Sequence, residues 1–148
     1  MDDLSIRRAE PADLASVAGL ALALWPDNDP EELSGELAPL LAAPDAAIFL
    51  CLHDEEAVGF AQCQLRRDYV EGCESSPVGY LEGVYVAEGY RRRGVAAALL
   101  KACEGWALLQ GCREFASDCE LDNMDSLGFH LANGFEEANR IICFTKRL

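Results

Sequence analysis

Histidine, positive charge and long apolar runs are all scarce in this chain of 148 residues, and each scarcity closes off a class of function. Only His53 and His130 are present, and none of the seven cysteines forms a C-x-x-C pair, so no spacing for a structural zinc ion exists and no metal is expected. The cysteines are odd in number, which argues against a disulfide framework. Several fall in apolar runs such as Phe49-Leu50-Cys51-Leu52 and Ile142-Cys143-Phe144, where a thiol behaves as a small hydrophobe. Buried, reduced thiols are therefore expected. Apolar stretches such as Val95 to Leu100 are far shorter than the ~20 residues that a helix needs to cross a bilayer. The acidic start Met1-Asp2-Asp3 lacks the basic region of a secretory signal, and a cytoplasmic protein is the expectation.

Against 12 basic residues stand 26 acidic ones, for a formal net charge of −14. Thirteen of the acidic residues lie in the first 60 positions, with only Arg7 and Arg8 opposing them there. A field of that sign repels nucleic acid and anionic membranes and attracts cations; serving solubility alone is the other reading of it. Hydrophobic residues at 51% and charged residues at 26% fit an ordinary globular mixture, and the length suits one domain. No repeat, low-complexity tract or linker divides the chain.

The pattern predicts a strand over Ser5–Ala9 and a helix from Pro11 to about Trp25, with Asp13 as N-cap or first-turn charge. Pro30 opens a second helix with Glu31 and Glu32 in its first turn. Ile48–His53 and Val58–Leu65 read as strands around the turn Asp54-Glu55-Glu56, and a polar loop from Arg67 to Pro77 leads to a strand over Val78–Val86. A helix over Val95–Gln110 ends at Gly111, followed by a strand over Arg113–Asp118 and a helix over Asn123–Asn133 that Gly134 ends. Phe135–Glu137 and Ile141–Lys146 complete the pattern as strands. That order describes a single α/β domain over residues 1–148, with a mixed, mostly antiparallel sheet flanked by helices.

Chemistry concentrates between Tyr80 and Ala96. A strand ends, the chain turns tightly, and a helix starts behind Arg91-Arg92-Arg93-Gly94. Free backbone N–H groups and the positive end of a helix make such a turn an anion site. Gly94 and the small Ala96 leave room for a pyrophosphate, and the arginines add positive charge. A solvated basic turn is the bland alternative. Glu82 lies in mid-strand and, by period-two alternation, shares a face with Val84 and Val86, where a carboxylate is costly unless paired or functional.

Arg91-x-x-Gly94-x-Ala96 after a strand resembles the Q/R-x-x-G-x-G/A signature of the GNAT acetyltransferases, whose loop amides bind the pyrophosphate of CoA. Two N-terminal helices, three antiparallel strands and the helix-to-Gly-Phe ending Asn123–Phe135 extend the resemblance over nearly the whole chain. Asp68–Pro77, Tyr80-Leu81-Glu82-Gly83, Cys112–Asp118 and His130–Glu137 look like the aminoglycoside 6′-N-acetyltransferases within that superfamily. The resemblance implies acetyl-CoA as co-substrate, a cationic small-molecule amine as acceptor, and a homodimer in which Ile141-Ile142-Cys143-Phe144 pairs across the interface or lies within the sheet.

It also implies roles for residues. Glu82 is the expected base, working through water, since an amine with a pKa near ~10 arrives protonated; a structural ion pair is the other reading. Backbone groups of Val84, Tyr85 and Val86 align the pantetheine arm and polarise the thioester carbonyl. Arg91, Arg92, Arg93, Gly94, Val95 and Ala96 hold the CoA phosphates, and Asn123 touches CoA or only caps its helix. Asp118 at a strand end, with Trp25 and Tyr69, is expected to contact the acceptor; helix capping is the other reading of Asp118, and core packing that of Trp25. Many GNAT enzymes place a tyrosine four residues before the Gly-Phe pair as general acid; here His130 stands there, as a proton donor or as a packed, inert ring. Another amine acceptor (a polyamine, a metabolite or a protein N-terminus) and a CoA-binding sensor without turnover are the competing functions.

Overall fold

The computed structural model describes residues 3–148. Strand β1 covers Leu4–Arg8, helix α1 Leu14–Leu24, helix α2 Pro30–Leu40, strand β2 Ala46–His53 and strand β3 Glu56–Arg66. Strand β4 covers Val78–Val86, helix α3 Val95–Leu109, strand β5 Phe115–Ala116 and helix α4 Met124–Ala132. The five strands form one sheet in the order β1-β2-β3-β4-β5. All neighbours are antiparallel except β4 and β5, which the α3 crossover makes parallel.

The sheet separates two apolar layers. Ile48, Leu50 and Phe60 point towards α1 and α2, where they meet Val17, Ala21, Leu33 and Leu37. Cys51, Ala61, Cys63 and Leu81 point the other way, against Leu99, Leu100, Cys103 and Trp106 of α3. Each strand thus alternates between the two helical layers, which is why the central strands read as nearly continuous apolar runs. Helix ends follow sequence chemistry. Asp29 caps α2 by accepting from the Glu32 N–H at 3.1 Å, and Gly111 (φ +89°) stands just beyond α3 in the left-handed conformation that glycine takes without strain.

Asp13 works at the entrance to α1 differently from a simple cap. Its carboxylate accepts the Glu10 N–H at 2.8 Å and binds the Arg7 guanidinium through two bonds of 2.8 Å. The Arg7 bond, and next the backbone bond, hold this carboxyl down to about 2 from the usual 3.8. A depressed carboxylate stabilises the fold above its unfolded value, and that stability disappears as pH falls through the folded value. Asp13→Asn is therefore expected to lower the melting temperature at pH 7. The gap to wild type should close as pH falls from about 4 to about 2, read by calorimetry over that range.

Two stretches differ from the sequence expectation. The strand expected over Arg113–Asp118 shortens to Phe115–Ala116, because β5 pairs with β4 only at Gly79↔Phe115 and Tyr80↔Ala116 before the two strands part. The strands expected over Phe135–Glu137 and Ile141–Lys146 are absent: residues 135–148 form neither helix nor strand, since no edge of the chain's own sheet pairs with them. Ile141, Ile142 and Phe144 are left 70%, 80% and 89% exposed. Cys143 accordingly lies exposed rather than in an apolar core, whereas Cys51, Cys63, Cys103 and Cys112 are buried as expected; all seven thiols are free. Burial raises the Cys51 and Cys112 thiols above their ordinary range, which keeps them protonated and inert.

Candidate active site

A register shift in the sheet places the central carboxylate. Gln62 pairs with Gly83 and the next residue, Cys63, pairs with Leu81, so Glu82 is an extra residue on β4 with no partner on β3. Such a bulge re-aims the side chain it carries. The alternation that would put Glu82 on the face of Val84 and Val86 is interrupted there. Val84 and Val86 pack in the α3 layer, while Glu82 borders a cavity of about 340 Å³ on the α1–α2 side. Trp25, Glu36 and Gln62 border the same cavity. Trp25 both packs and lines: its ring meets Phe60 edge-on with centroids 6.2 Å apart and covers Gly83, where an added Cβ would lie 2.6 Å from the indole.

Arg66, at the end of β3, governs the charge in this cleft. Its guanidinium donates to both Glu82 oxygens at 3.0–3.3 Å and lies flat over the Tyr80 ring, 3.4 Å from the centroid. The Tyr80 hydroxyl in turn donates to Asp118. Burial, and next this bond to a carboxylate, push the Tyr80 phenol well above its ordinary range, so it stays a donor at every physiological pH. Glu82 and Asp118 are therefore joined through a cation and a ring. Asp118 sits exposed outside the cavity lined by Glu82. Tyr69 does not enter that cavity: it is 79% exposed on the loop before β4 and donates to Glu71 at 2.9 Å.

Beyond Tyr80, β4 has no strand partner among the described residues on its β5 side, so a gap opens between the parting strands near Val84 to Val86. This gap opens into a cavity of about 770 Å³. Val84, Tyr85, Val86, Arg91, Arg92, Gly94, Val95, Ala96 and Asn123, all expected at the co-substrate site, border it. The turn has the geometry of an anion cradle. Arg92 (φ +63°) and Gly94 (φ +76°) adopt left-handed conformations, and no side chain caps the start of α3. The first amides of α3 are thus free for an anionic ligand. Arg91 is tied inward, donating from Nε to the Val86 carbonyl at 2.8 Å. Arg93 does not border the cavity; it lies 5.4 Å from the centroid of the Tyr90 ring, which does. Asn123 caps α4 through the Ser126 N–H at 3.1 Å and borders the cavity as well.

His130 is engaged at both ring nitrogens. Nδ1 lies 2.6 Å from the Ser126 carbonyl oxygen, which can only accept, so Nδ1 carries the proton. Nε2 lies 2.8 Å from the Ser117 hydroxyl oxygen, within hydrogen-bond distance. Phe129 and Phe135 pack edge-on against the ring at 5.5 and 4.9 Å. Ser117 also lies 3.3 Å from the Leu81 carbonyl, across the gap between β4 and β5.

The structure thus brings Glu82 and Trp25 to one cavity and most of the residues expected at the co-substrate turn to another; Arg66, Tyr80, Gln62, Glu36 and Ser117, which join them, were not singled out from sequence. Arg66 sits at the end of an apolar strand beside another arginine, and only the bulge and the fold bring it to Glu82. Among the described residues no cluster of His, Cys, Asp and Glu could hold a metal ion, and no helix is long and apolar enough to cross a membrane.

Known proteins resemble this arrangement closely. The family model described as "Acetyltransferase (GNAT) family" matches residues 14–135. The chain is 49% identical over 142 residues to an aminoglycoside N(6′)-acetyltransferase type 1 of Stenotrophomonas maltophilia, covering 95% of this chain and 91% of the relative. It is 46% identical over 130 residues to the protein of that name from Serratia marcescens, with 87% and 89% covered. Among solved structures, AAC(6′)-Iy in complex with the bisubstrate analogue CoA-S-monomethyl-acetylneamine superposes with a TM-score of 0.94 at 40% identity, covering 98% of this chain and 99% of that one.

Proposed function

This chain belongs to the GNAT acetyltransferase family, and from that premise we propose that it transfers the acetyl group of acetyl-CoA to the 6′-amine of an aminoglycoside. The observation that carries the reading is the pairing of two cavities that meet at β4. One holds a free-amide, arginine-bearing turn suited to CoA phosphates; the other holds an acidic cleft with Glu82 and Glu36 suited to a polycation.

In this mechanism the two substrates are held together and react directly. Trp25, Glu82 and Asp118 hold the acceptor, while the amides near Val84 to Val86 orient and polarise the thioester carbonyl. Glu82 draws a proton from the acceptor ammonium, through water because Arg66 already occupies both of its oxygens. The amine nitrogen then bonds to the acetyl carbon, the carbon–sulfur bond breaks with its electron pair leaving on sulfur, and the second proton shed by the amide nitrogen ends on the CoA thiolate. His130 acts through Ser117, whose hydroxyl it orients in the gap between β4 and β5. Tyr69, outside the cavity on the exposed loop before β4, is a further contact for the acceptor in this reading.

A homodimer accompanies this reading. Exposed Ile141, Ile142 and Phe144 form an apolar tail without a partner among the described residues, and burying them against a second copy would remove that surface from water. Ile142→Asp combined with Phe144→Asp is expected to convert a dimer to a monomer, with mass measured by light scattering after size exclusion; an unchanged mass would place the interface elsewhere. Reduced thiols and dependence on acetyl-CoA fit the cytoplasm, and the charge of −14 disfavours nucleic acid and anionic membranes as partners.

The test of function is release of free CoA thiol from acetyl-CoA with kanamycin, tobramycin or spermidine as acceptor. Turnover with the two aminoglycosides supports the reading. Turnover with spermidine alone would keep the reaction and replace the substrate class, and CoA binding without turnover would replace the enzyme by a sensor.

A further inference from the structure

Among the described residues Gln62 is the one amide or charged side chain that is buried, with 8% of its surface exposed. Its Oε1 is sealed from solvent and has no hydrogen-bond partner. A buried amide left in that state costs the fold free energy, and an apolar side chain of the same shape would not incur the cost. The sheet does not need the amide: the backbone of Gln62 pairs with Ile48 on one side and Gly83 on the other. The surroundings do not ask for it either, since Phe60 on the same strand is wholly buried in the α1–α2 layer. Yet Gln62 borders the acceptor cavity, directly opposite the bulge that carries Glu82 and beside Trp25 and Glu36.

We propose that the Gln62 amide is a specificity-determining group that hydrogen-bonds a ring hydroxyl of the acceptor, on the sugar that carries the reacting amine. The inference rests on the aminoglycoside reading and names what that cleft recognises besides charge. Glu82 and Glu36 attract any polycation, so they do not separate a flexible polyamine from an amino sugar. An amide is neutral and both donates and accepts, as a hydroxyl does, so the two are matched partners. A site built to bond a hydroxyl also rejects the analogue that lacks it, because the amide is then left buried and unpaired.

Kanamycin B and dibekacin test this, because they differ only in the 3′- and 4′-hydroxyls of the sugar bearing the 6′-amine. Gln62→Met keeps the shape and removes the amide. The variant is expected to raise KM for kanamycin B by about five- to twentyfold, the worth of one hydrogen bond, and KM for dibekacin by less than about twofold. KM for acetyl-CoA should not change, and the melting temperature should stay level or rise. Gln62→Glu, which keeps an acceptor oxygen, should retain most of the discrimination between the two drugs. Equal effects on both acceptors, or no effect on either, would overturn the proposal. So would a lower melting temperature with both KM values raised, which would make Gln62 a structural residue. Wild-type turnover of neither drug would instead remove the aminoglycoside reading and this inference with it.

Discussion

Replacing Glu82 by glutamine is expected to lower kcat/KM for an aminoglycoside by about 100- to 10,000-fold at pH 7, the usual worth of a positioned base. Glutamine fills the same space but cannot take a proton. It also leaves the Arg66 guanidinium, now bound at 3.0–3.3 Å to both carboxylate oxygens, without its counter-charge. The pH dependence separates the two consequences. Without a base the variant depends on acceptor that is already deprotonated, so its rate should rise about tenfold per pH unit below the amine pKa. The wild-type rate should level off at lower pH. Steady-state thiol release from pH 6 to 9 reads this directly. Two parallel profiles, offset by a constant factor, would make Glu82 a structural partner of Arg66 rather than the base. KM for acetyl-CoA should be unchanged in either case, because Glu82 borders the acceptor cavity and not the co-substrate cavity.

The second large effect belongs to Gly94. A Cβ built there meets nothing within 4 Å, so space is available; the obstacle is its φ of +76°, which a β-branched residue adopts only under strain. Gly94→Val is expected to pull the turn out of its left-handed conformation, misdirecting the amides at the start of α3. KM for acetyl-CoA should rise by about 10- to 100-fold, each tenfold step corresponding to roughly 1.4 kcal/mol. KM for the aminoglycoside should change by less than about twofold. Gly89→Ala is the control, since that glycine has open space around it and no such φ, and it should behave as wild type. Calorimetric titration of CoA into each variant would show the same order. An unchanged CoA affinity in Gly94→Val would mean that the phosphates are held elsewhere.

The turn at Arg91–Gly94 could be singled out from sequence because its features are local. Three arginines, a glycine and a helix start lie within a few residues, and the structure needs only to fold that segment. The core strands could be read for the same reason, through apolar runs that alternate between two helical layers. The acceptor cleft is different in kind. Glu82 stood out as a carboxylate in a strand, but alternation put it on the wrong face, because nothing in Leu81-Glu82-Gly83 announces an unpaired residue. Arg66, Tyr80 and Asp118 converge only when β3, β4 and the segment after β5 are assembled, so their network had no sequence signal at all. His130 could be named from its place before Gly134-Phe135, whereas its bond to Ser117 depends on the parting of β4 and β5. The tail failed for the opposite reason: Ile141–Lys146 has the composition of a strand, and none of the described strands supplies the partner that a strand requires.

The measurement that bears most directly on the central claim is acetyl transfer to neomycin and to paromomycin, which differ only in carrying an amine or a hydroxyl at the 6′ position. Acetylation of the products would be located by mass spectrometry and NMR. Transfer of a single acetyl group to the 6′-nitrogen of neomycin, with no turnover of paromomycin, is the predicted result. Acetylation of paromomycin at any amine, or of neomycin at a position other than 6′, would contradict the account by showing that the cleft beside Glu82 presents a different nitrogen to the thioester.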